Sequence, residues 1–186
     1  MRIIAGQFKS RHLKGTPPAG TRPTSDKLRE TLFNILGESV RRCTFLDGCA
    51  GVGAVGIEAI SRGAQAVVFV DQSRRAAGTI RENLRLLGVG TGFNILEMEI
   101  RKALDRCTRD GIVFDIAFVD PPYESHELYQ DIVEAFAGKT LVATSGILVL
   151  EHTKRKTLPE NVGNLKKVRS LIQGDSALTF YRPETL

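Results

Sequence analysis

Three apolar runs in this chain each end in an aspartate, and no other feature constrains the fold as strongly. The runs and their acids are Phe45-Leu46 before Asp47, residues 66–70 before Asp71, and residues 115–119 before Asp120. Segments with helical spacing of apolar residues lie between the runs, and strands separated by helices form a parallel sheet covered on both faces. Ligands of such sheets bind beyond the carboxyl ends of the strands, so the three acids are expected to share one site.

The remaining periodicity predicts the elements around this core. The expected helices run from Thr24 or Ser25 as N-cap to about Val40, over 51–63, over 73–87, from Ile100 onward and over 128–136, and the further strands cover 93–96 and 146–150. Two late apolar runs, 165–172 and 177–181, are separated only by the turn Gly174-Asp175-Ser176. Without a helix between them, these two strands must pair antiparallel.

A glycine-rich loop follows the first predicted strand. Gly51, Gly53 and Gly56 spell G-x-G-x-x-G, and Asp71 lies 20 residues after Gly51. This spacing is typical of a site for a nucleoside-bearing cofactor, and alone it fits both S-adenosylmethionine and NAD. Asp47 stands just ahead of the glycines, where a carboxylate suits an ammonium and a sulfonium but repels a pyrophosphate. The loop therefore favours S-adenosylmethionine.

The segment Asp120-Pro121-Pro122-Tyr123 follows the fourth predicted strand. Two consecutive prolines stiffen the backbone and fix its carbonyl groups. A carboxylate and a carbonyl can bind an exocyclic amine while an aromatic ring stacks on the base that carries it. The plain structural alternative is a polar Pro-Pro turn, but beside a glycine loop the segment predicts methylation of a base amino group.

Together these motifs resemble the RsmD family of bacterial 16S rRNA guanine-N2 methyltransferases. The resemblance spans nearly the whole chain, through residues 1–6, 22–36, 47–59, 61–64, 120–123 and 174–176 with Tyr181. It implies an α/β, Rossmann-like, class I methyltransferase fold with seven strands, a mostly parallel sheet, an antiparallel last strand and a short N-terminal arm. The implied reaction transfers a methyl group from S-adenosylmethionine to N2 of a guanine in small-subunit rRNA.

The expected site residues follow from the motifs and the resemblance. The catalytic residues are predicted to be Asp120, Pro121, Pro122 and Tyr123. The predicted cofactor contacts are Asp47, Cys49, Ala50, Gly51, Gly53, Asp71, Gln72, Ser73, Glu99 and Ile100, of which the resemblance alone implies that Glu99 and Ile100 flank the adenine. The chain departs from the family at Gly48-Cys49, usually two apolar residues, and at Glu97–Ile100, where relatives usually carry an aspartate.

The basic charge is concentrated at the start of the chain. Residues 1–29 contain seven basic residues and one acid, a charge of +6 in a chain whose net charge is +5. A clustered basic segment is typical of nucleic-acid contact, although a solvated basic surface looks the same in sequence. We predict a basic β-hairpin arm over residues 1–24, a methyltransferase domain over 25–186, and rRNA contacts through Arg22, Thr24 and Arg29.

Several other functions are disfavoured. The three cysteines and three histidines match no metal-ligand spacing, so no metal is expected. No apolar stretch suits a membrane span or a signal peptide, which predicts a cytoplasmic protein. The resemblance implies small-subunit rRNA as the partner, and we expect a monomer that acts on an assembling ribosomal subunit. Three alternatives remain: an adenine-N6 methyltransferase acting on DNA or another RNA, an NAD-dependent dehydrogenase, and a nucleic-acid-binding protein without catalysis.

Overall fold

The computed structural model describes residues 1–15, 24–122, 126–138 and 140–184. The helices are α1 Asp26–Leu36, extended by a 3-10 turn at Gly37–Val40, α2 Ala54–Ser61, α3 Arg74–Leu87, α4 Ile100–Arg109 and α5 His126–Ala137. The strands are β1 Thr44–Gly48, β2 Ala66–Asp71, β3 Phe93–Glu97, β4 Phe114–Val119, β5 Val142–Thr153, β6 Asn161–Val162, β7 Leu165–Gln173 and β8 Ser176–Pro183. Within these ranges no helix combines the length and the apolar character that crossing a bilayer requires.

All the strands belong to one sheet in the order β3-β2-β1-β4-β5-β8-β7-β6. β1 to β5 run parallel, and β8 pairs antiparallel with both β5 and β7. The predicted fold class and the antiparallel late pair are therefore confirmed. The expected count of seven strands is one too low, because the two-residue β6 adds a short outer strand beside Leu165 and Lys166.

Apolar side chains cover both faces of the sheet, as its continuous apolar strands require. Successive strand residues point to opposite faces, so Phe45 packs in one cluster with α1, α2 and α3, while Leu46 packs in the other with α4 and α5. The central parallel strands β1, β2 and β4 are thus buried on both sides, and their ends are the parts open to a ligand.

Helix α2 begins three residues later than the glycine spacing predicts. Gly51 and Gly53 have φ angles of 58° and 77°, in the left-handed region that a continuing right-handed helix cannot contain. Gly53 is the N-cap, and the helix starts at Ala54. The residues from Gly48 to Gly53 are therefore a tight loop over the end of β1.

Among residues 1–15, an antiparallel bridge pairs Arg2 with His12. This segment is fastened to α2 by the buried carboxylate of Glu58. The backbone N–H groups of Ile4 and Ala5 donate to Glu58 at 2.7 and 2.9 Å, and Arg62 Nε donates to it at 2.8 Å. One side chain thus fixes the segment against the helix that follows the glycine loop.

Arg29 lies inside this junction, and its predicted contact with RNA is wrong for this conformation. The side chain is completely buried. Its Nη2 donates to the Arg2 carbonyl oxygen at 2.5 Å and to Asp26 at 3.0 Å, and its Nε lies 3.9 Å from Glu58. Removing a guanidinium from water is costly, so these partners make it a structural cation rather than a free one.

Replacement of Glu58 by Gln should destabilise the protein strongly. The amide offers one acceptor oxygen where the carboxylate serves two backbone N–H groups, and it leaves Arg29 without its buried counter-charge. We expect the free energy of unfolding to fall by about 2–4 kcal/mol in urea titrations. Glu38→Gln is the control, because it removes an ion pair with Arg41 in which the Glu38 and Arg41 side chains are 89% and 72% exposed. Its free energy of unfolding should change by less than about 0.5 kcal/mol. Equal effects of the two substitutions would contradict the assigned role of Glu58.

Candidate active site

Asp47 holds the start of α2 against the end of β1. The carboxylate is buried and accepts the Gly56 N–H at 2.7 Å. A Cβ at Gly56 would stand 2.3 Å from the Phe69 ring, so this position has room only for glycine. Burial raises the pKa of Asp47 to about 8 although the Gly56 amide opposes the shift, and nearby Asp71 raises it further. Asp47 is therefore a carboxyl group that a cationic ligand would help to ionise.

Asp71 joins the glycine loop to the start of α3. Its two carboxylate oxygens accept the N–H groups of Gly51 and Ser73, each at 2.8 Å. The Ser73 hydroxyl in turn caps α3 by accepting the Ala76 N–H. The space where a Gly51 Cβ would lie is open, so the loop backbone is accessible to a ligand. Each Asp71 oxygen keeps a lone pair with which it can accept a ribose hydroxyl.

The end of β4 meets the glycine loop directly. The Asp120 N–H donates to the Gly48 carbonyl oxygen at 3.1 Å. A Cβ at Gly48 would lie 3.0 Å from Val119 and 3.1 Å from Ile100, so the start of α4 also closes on this point. The two predicted motifs therefore form one crevice, with Ile100 at its wall and exposed Glu99 just before it.

Cys49 lies among the acids of this crevice. Burial raises the pKa of its thiol well above the ordinary value, and Asp120, Asp71 and Asp47 raise it further in that order. It is a half-buried free thiol, whereas Cys43 and Cys107 are buried. A φ of 61° gives Cys49 a backbone conformation that L-residues seldom adopt. Three carboxyl groups thus act on this one thiol.

A further acid, Glu151, belongs to the crevice although we did not predict it. Burial raises the pKa of Asp120 well above its usual value, and Glu151 raises it further, while a hydrogen bond with Thr24 lowers it. The Thr24 hydroxyl donates to Glu151 at 2.7 Å. Glu151 follows the apolar run 146–150, so the pattern of apolar runs ending in acids could have identified it.

Thr24 does not lie where we predicted. We expected an RNA contact, but the residue is 7% exposed and bonds inward to Glu151. Its neighbour Ser25 is the N-cap of α1 and accepts the Leu28 N–H. The prediction treated Thr24 as part of a solvated basic segment, whereas its hydroxyl serves the buried carboxyl groups of the crevice.

The Pro121 carbonyl group is held from behind by a buried tyrosine. The Tyr129 hydroxyl donates to the Pro121 oxygen at 3.1 Å, and the Lys156 ammonium lies 4.1 Å from the centre of the Tyr129 ring. Pro122 is exposed. These contacts could not be predicted from the sequence, because the spacing of Tyr129 shows only that it lies on the apolar side of α5.

The other predicted site residues are distributed around the same crevice or lie outside the described ranges. Ala50 donates its N–H to the Val70 carbonyl oxygen at 3.0 Å, and Gln72 is exposed beside Asp71. Arg22 and Tyr123 are outside the described residues. In the described part of the chain, no group of three or more His, Cys, Asp or Glu residues is placed to hold a metal ion.

The fold and this site define a class of enzyme. An antiparallel β8 between β5 and β7 separates the sheet from the doubly wound dinucleotide fold, whose strands all run in parallel. Together with a glycine loop bonded to a strand-end Asp-Pro-Pro, this sheet is that of a class I methyltransferase. The comparison with known proteins agrees, and it identifies the family.

A family model described as conserved hypothetical protein 95 matches residues 1–182. Two relatives are named ribosomal RNA small subunit methyltransferase D. The Escherichia coli K12 protein is 30% identical over 99% of this chain and 90% of its own length. The Haemophilus influenzae Rd protein is 32% identical over 90% of this chain and 87% of its own length. An Escherichia coli structure described as a candidate methyltransferase, yhhF, has a TM-score of 0.86 at 30% identity and covers 99% of this chain and 98% of that one. The chain belongs to this family, that of ribosomal RNA small subunit methyltransferase D.

Asp47→Asn should stabilise the protein without cofactor, and increasingly so at higher pH. In the wild type the folded-state pKa of about 8 lies above the ordinary value of 3.8, so the folded state binds the extra proton and its stability falls as pH rises from about 4 to about 8. Asn keeps the Gly56 bond but does not titrate. Thermal unfolding from pH 5 to 9 should show that the free energy of unfolding of the variant exceeds that of the wild type. This difference should grow by at most about 1.4 kcal/mol per pH unit and become constant above pH 8. If the difference in stability between variant and wild type did not depend on pH, the raised pKa of Asp47 would be refuted.

Proposed function

We propose that this protein transfers a methyl group from S-adenosylmethionine to the N2 amine of a guanine in 16S rRNA. The observation that supports the proposal is the hydrogen bond from the Asp120 N–H to the Gly48 carbonyl oxygen, which joins the Asp-Pro-Pro segment to the start of the glycine loop. The names of the curated relatives support rRNA of the small subunit as the substrate. Guanine N2 is the finer step, and it rests on the resemblance of the whole chain.

The crevice residues fit the proposed cofactor. When bound, S-adenosylmethionine supplies a methyl group on a positively charged sulfur, and it also carries an ammonium. Asp47, Asp71 and Asp120 each raise the pKa of the Cys49 thiol, so all three carboxyl groups act at the point where this cationic ligand would sit. A cation there would favour their ionised forms. We assign the cofactor contacts to Asp47, Cys49, Ala50, Gly51, Gly53, Asp71, Gln72, Ser73, Glu99 and Ile100.

The chemical task of the protein is to orient a weak nucleophile. The lone pair of the guanine N2 is delocalised into the ring, and it attacks only when it points at the methyl carbon in line with the departing sulfur. In the proposed mechanism, the Asp120 carboxylate and the Pro121 carbonyl oxygen accept the two N–H groups of the amine. They stabilise the positive charge that develops on nitrogen. Tyr123 is assigned to stack on the extruded base.

Asp120 must be ionised to stabilise the positive charge that develops on the target nitrogen and to accept its hydrogen bond. Its raised pKa in the free protein arises from burial and from the Glu151 and Asp47 carboxyl groups. A cation in the crevice would favour the ionised form. Cofactor binding therefore prepares Asp120 for the amine, and no strong general base is needed because the methylated product nitrogen is acidic.

The N-terminal arm is proposed to bind rRNA. We keep residues 1–24 as the arm and 25–186 as the methyltransferase domain, and we retain Arg22 as a phosphate contact. Of the described cations, Lys9 and Arg11 are exposed on this segment, whereas Arg29 is withdrawn into its base. An assembling small subunit in the cytoplasm is the proposed substrate particle, with the enzyme acting as a monomer.

Incubation with methyl-labelled S-adenosylmethionine and unmodified small subunits tests the function. Digestion of the rRNA to nucleosides should place the label in N2-methylguanosine. Label in N6-methyladenosine would instead establish the alternative, because a carboxylate and a carbonyl serve both amines. Label in neither nucleoside would overturn the proposal.

Asp120→Ala should lower kcat by about 100-fold or more, in line with the loss of one preorganised group at a developing charge. Cofactor affinity, measured by calorimetry, should change far less because the glycine loop and Asp71 remain. Asp120→Asn is the matched variant: its amide oxygen still accepts one hydrogen bond, so its turnover should exceed that of the Ala variant at least several-fold. Normal turnover in the Ala variant would exclude the mechanism.

Tyr129→Phe should lower kcat by about 3- to 10-fold and leave the KM for S-adenosylmethionine unchanged. The substitution removes the donor that holds the Pro121 carbonyl group but keeps the buried ring. The stability cost should be about 1 kcal/mol, that of one buried hydrogen bond. A fall in stability without any change in kcat would show that Tyr129 has only a structural role.

A further inference from the structure

A short basic turn lies at the end of the sheet where the carboxyl ends of the parallel strands form the crevice. It consists of Lys154, Arg155 and Lys156 and follows β5 directly. β5 runs parallel to β4, with Leu150 opposite Val119, so Glu151 is level with Asp120. The turn therefore begins three residues farther along, which is roughly 10 Å beyond the level of Asp120. This places it at the rim of the crevice on the side of the Asp-Pro-Pro segment.

The base of the basic turn is held rigidly. The His152 ring contacts the Thr153 carbonyl oxygen and the Thr179 hydroxyl, each at 2.8 Å. The Lys154 N–H donates to the Asp175 carbonyl oxygen at 2.9 Å, and its ammonium lies 3.0 Å from the Asp175 carboxylate. The backbone of the turn is therefore tied to the β7–β8 connection through Lys154.

A chain of contacts links the basic turn to the group assigned to the target amine. Lys156 lies over the Tyr129 ring, and the Tyr129 hydroxyl donates to the Pro121 carbonyl oxygen. Arg155 extends from the middle of the turn, is exposed, and forms no ion pair with any residue in the described ranges. A guanidinium with free donors is suited to bidentate contact with a phosphate.

The charge below the rim decides what the basic turn can bind. Asp47, Asp120 and Glu151 line the crevice, and a bound cationic cofactor favours their ionised forms. The ionised carboxylates repel a nucleic-acid backbone, whereas an uncharged base can enter. An extruded base keeps its own phosphates outside, at the rim. We propose that the basic turn binds the RNA phosphates next to the target nucleotide and so orients the base toward Pro121; this inference rests on the proposed function.

The test compares two double variants for binding to a 16S rRNA transcript and for methyl transfer to unmodified small subunits. Lys154→Gln with Arg155→Gln removes two rim cations and leaves Lys156 on Tyr129. The control, Arg41→Gln with Arg109→Gln, removes two exposed arginines that precede β1 and end α4, at the opposite edge of the sheet. Both variants lose the same net charge, so a nonspecific effect of charge would appear equally in both.

The rim variant should bind the transcript about 5- to 20-fold more weakly near 0.1 M salt. Each lost phosphate contact should reduce the slope of log K against log salt by about 1. The KM for rRNA should rise, whereas kcat at saturating RNA and the affinity for S-adenosylmethionine should stay within about twofold. The control variant should match the wild type in the salt slope.

The outcomes separate this inference from the function on which it rests. If wild-type protein methylates guanine N2 and the rim variant has the control's affinity and salt slope, the role of the basic turn is refuted and the function stands. If the wild type methylates no rRNA guanine while the rim variant still loses affinity and slope, the function fails but the turn remains an RNA contact. A fall in kcat alone, at unchanged affinity, would also overturn the inference.

Discussion

The parallel pairing of β1 with two neighbours is the constraint on which the rest of the structure depends. Gly48 lies opposite Val70 of β2 and Val119 of β4, so the residues that follow the three strands must emerge side by side. The glycine loop, Asp71 and Asp120 are brought together by this register and not by any attraction between their side chains. Like charges gather here because the buried faces of the strands determine the pairing.

That arrangement is unfavourable for the free protein and useful for a cationic ligand. Burial raises the pKa values of Asp47 and Asp120, and the acids reinforce one another. A sulfonium and an ammonium relieve the repulsion when they enter, whereas a pyrophosphate adds to it. The same electrostatic cost that lowers stability without ligand thus distinguishes the proposed cofactor from NAD, a distinction that the glycine spacing cannot make.

The fold could be predicted well from the sequence because its signals are local. Buried runs such as 66–70, glycines at the loop and the Ser73 cap each show their role within a few residues. The errors at Arg29 and Thr24 have the opposite cause. Their partners, Glu58 and Glu151, are 29 and 127 residues away, and an arginine in a basic segment gives no local sign that it is buried.

The distribution of charge around the crevice follows from what its substrate must do. A base is neutral and can approach acids, but the backbone that carries it is a polyanion, so one surface cannot serve both parts. An acidic interior therefore requires cations at its rim to hold the backbone while the base is extruded. The exposed cations of the arm and the basic turn after β5 lie outside the acidic interior. In the proposed function, this separation admits the base and retains the phosphates.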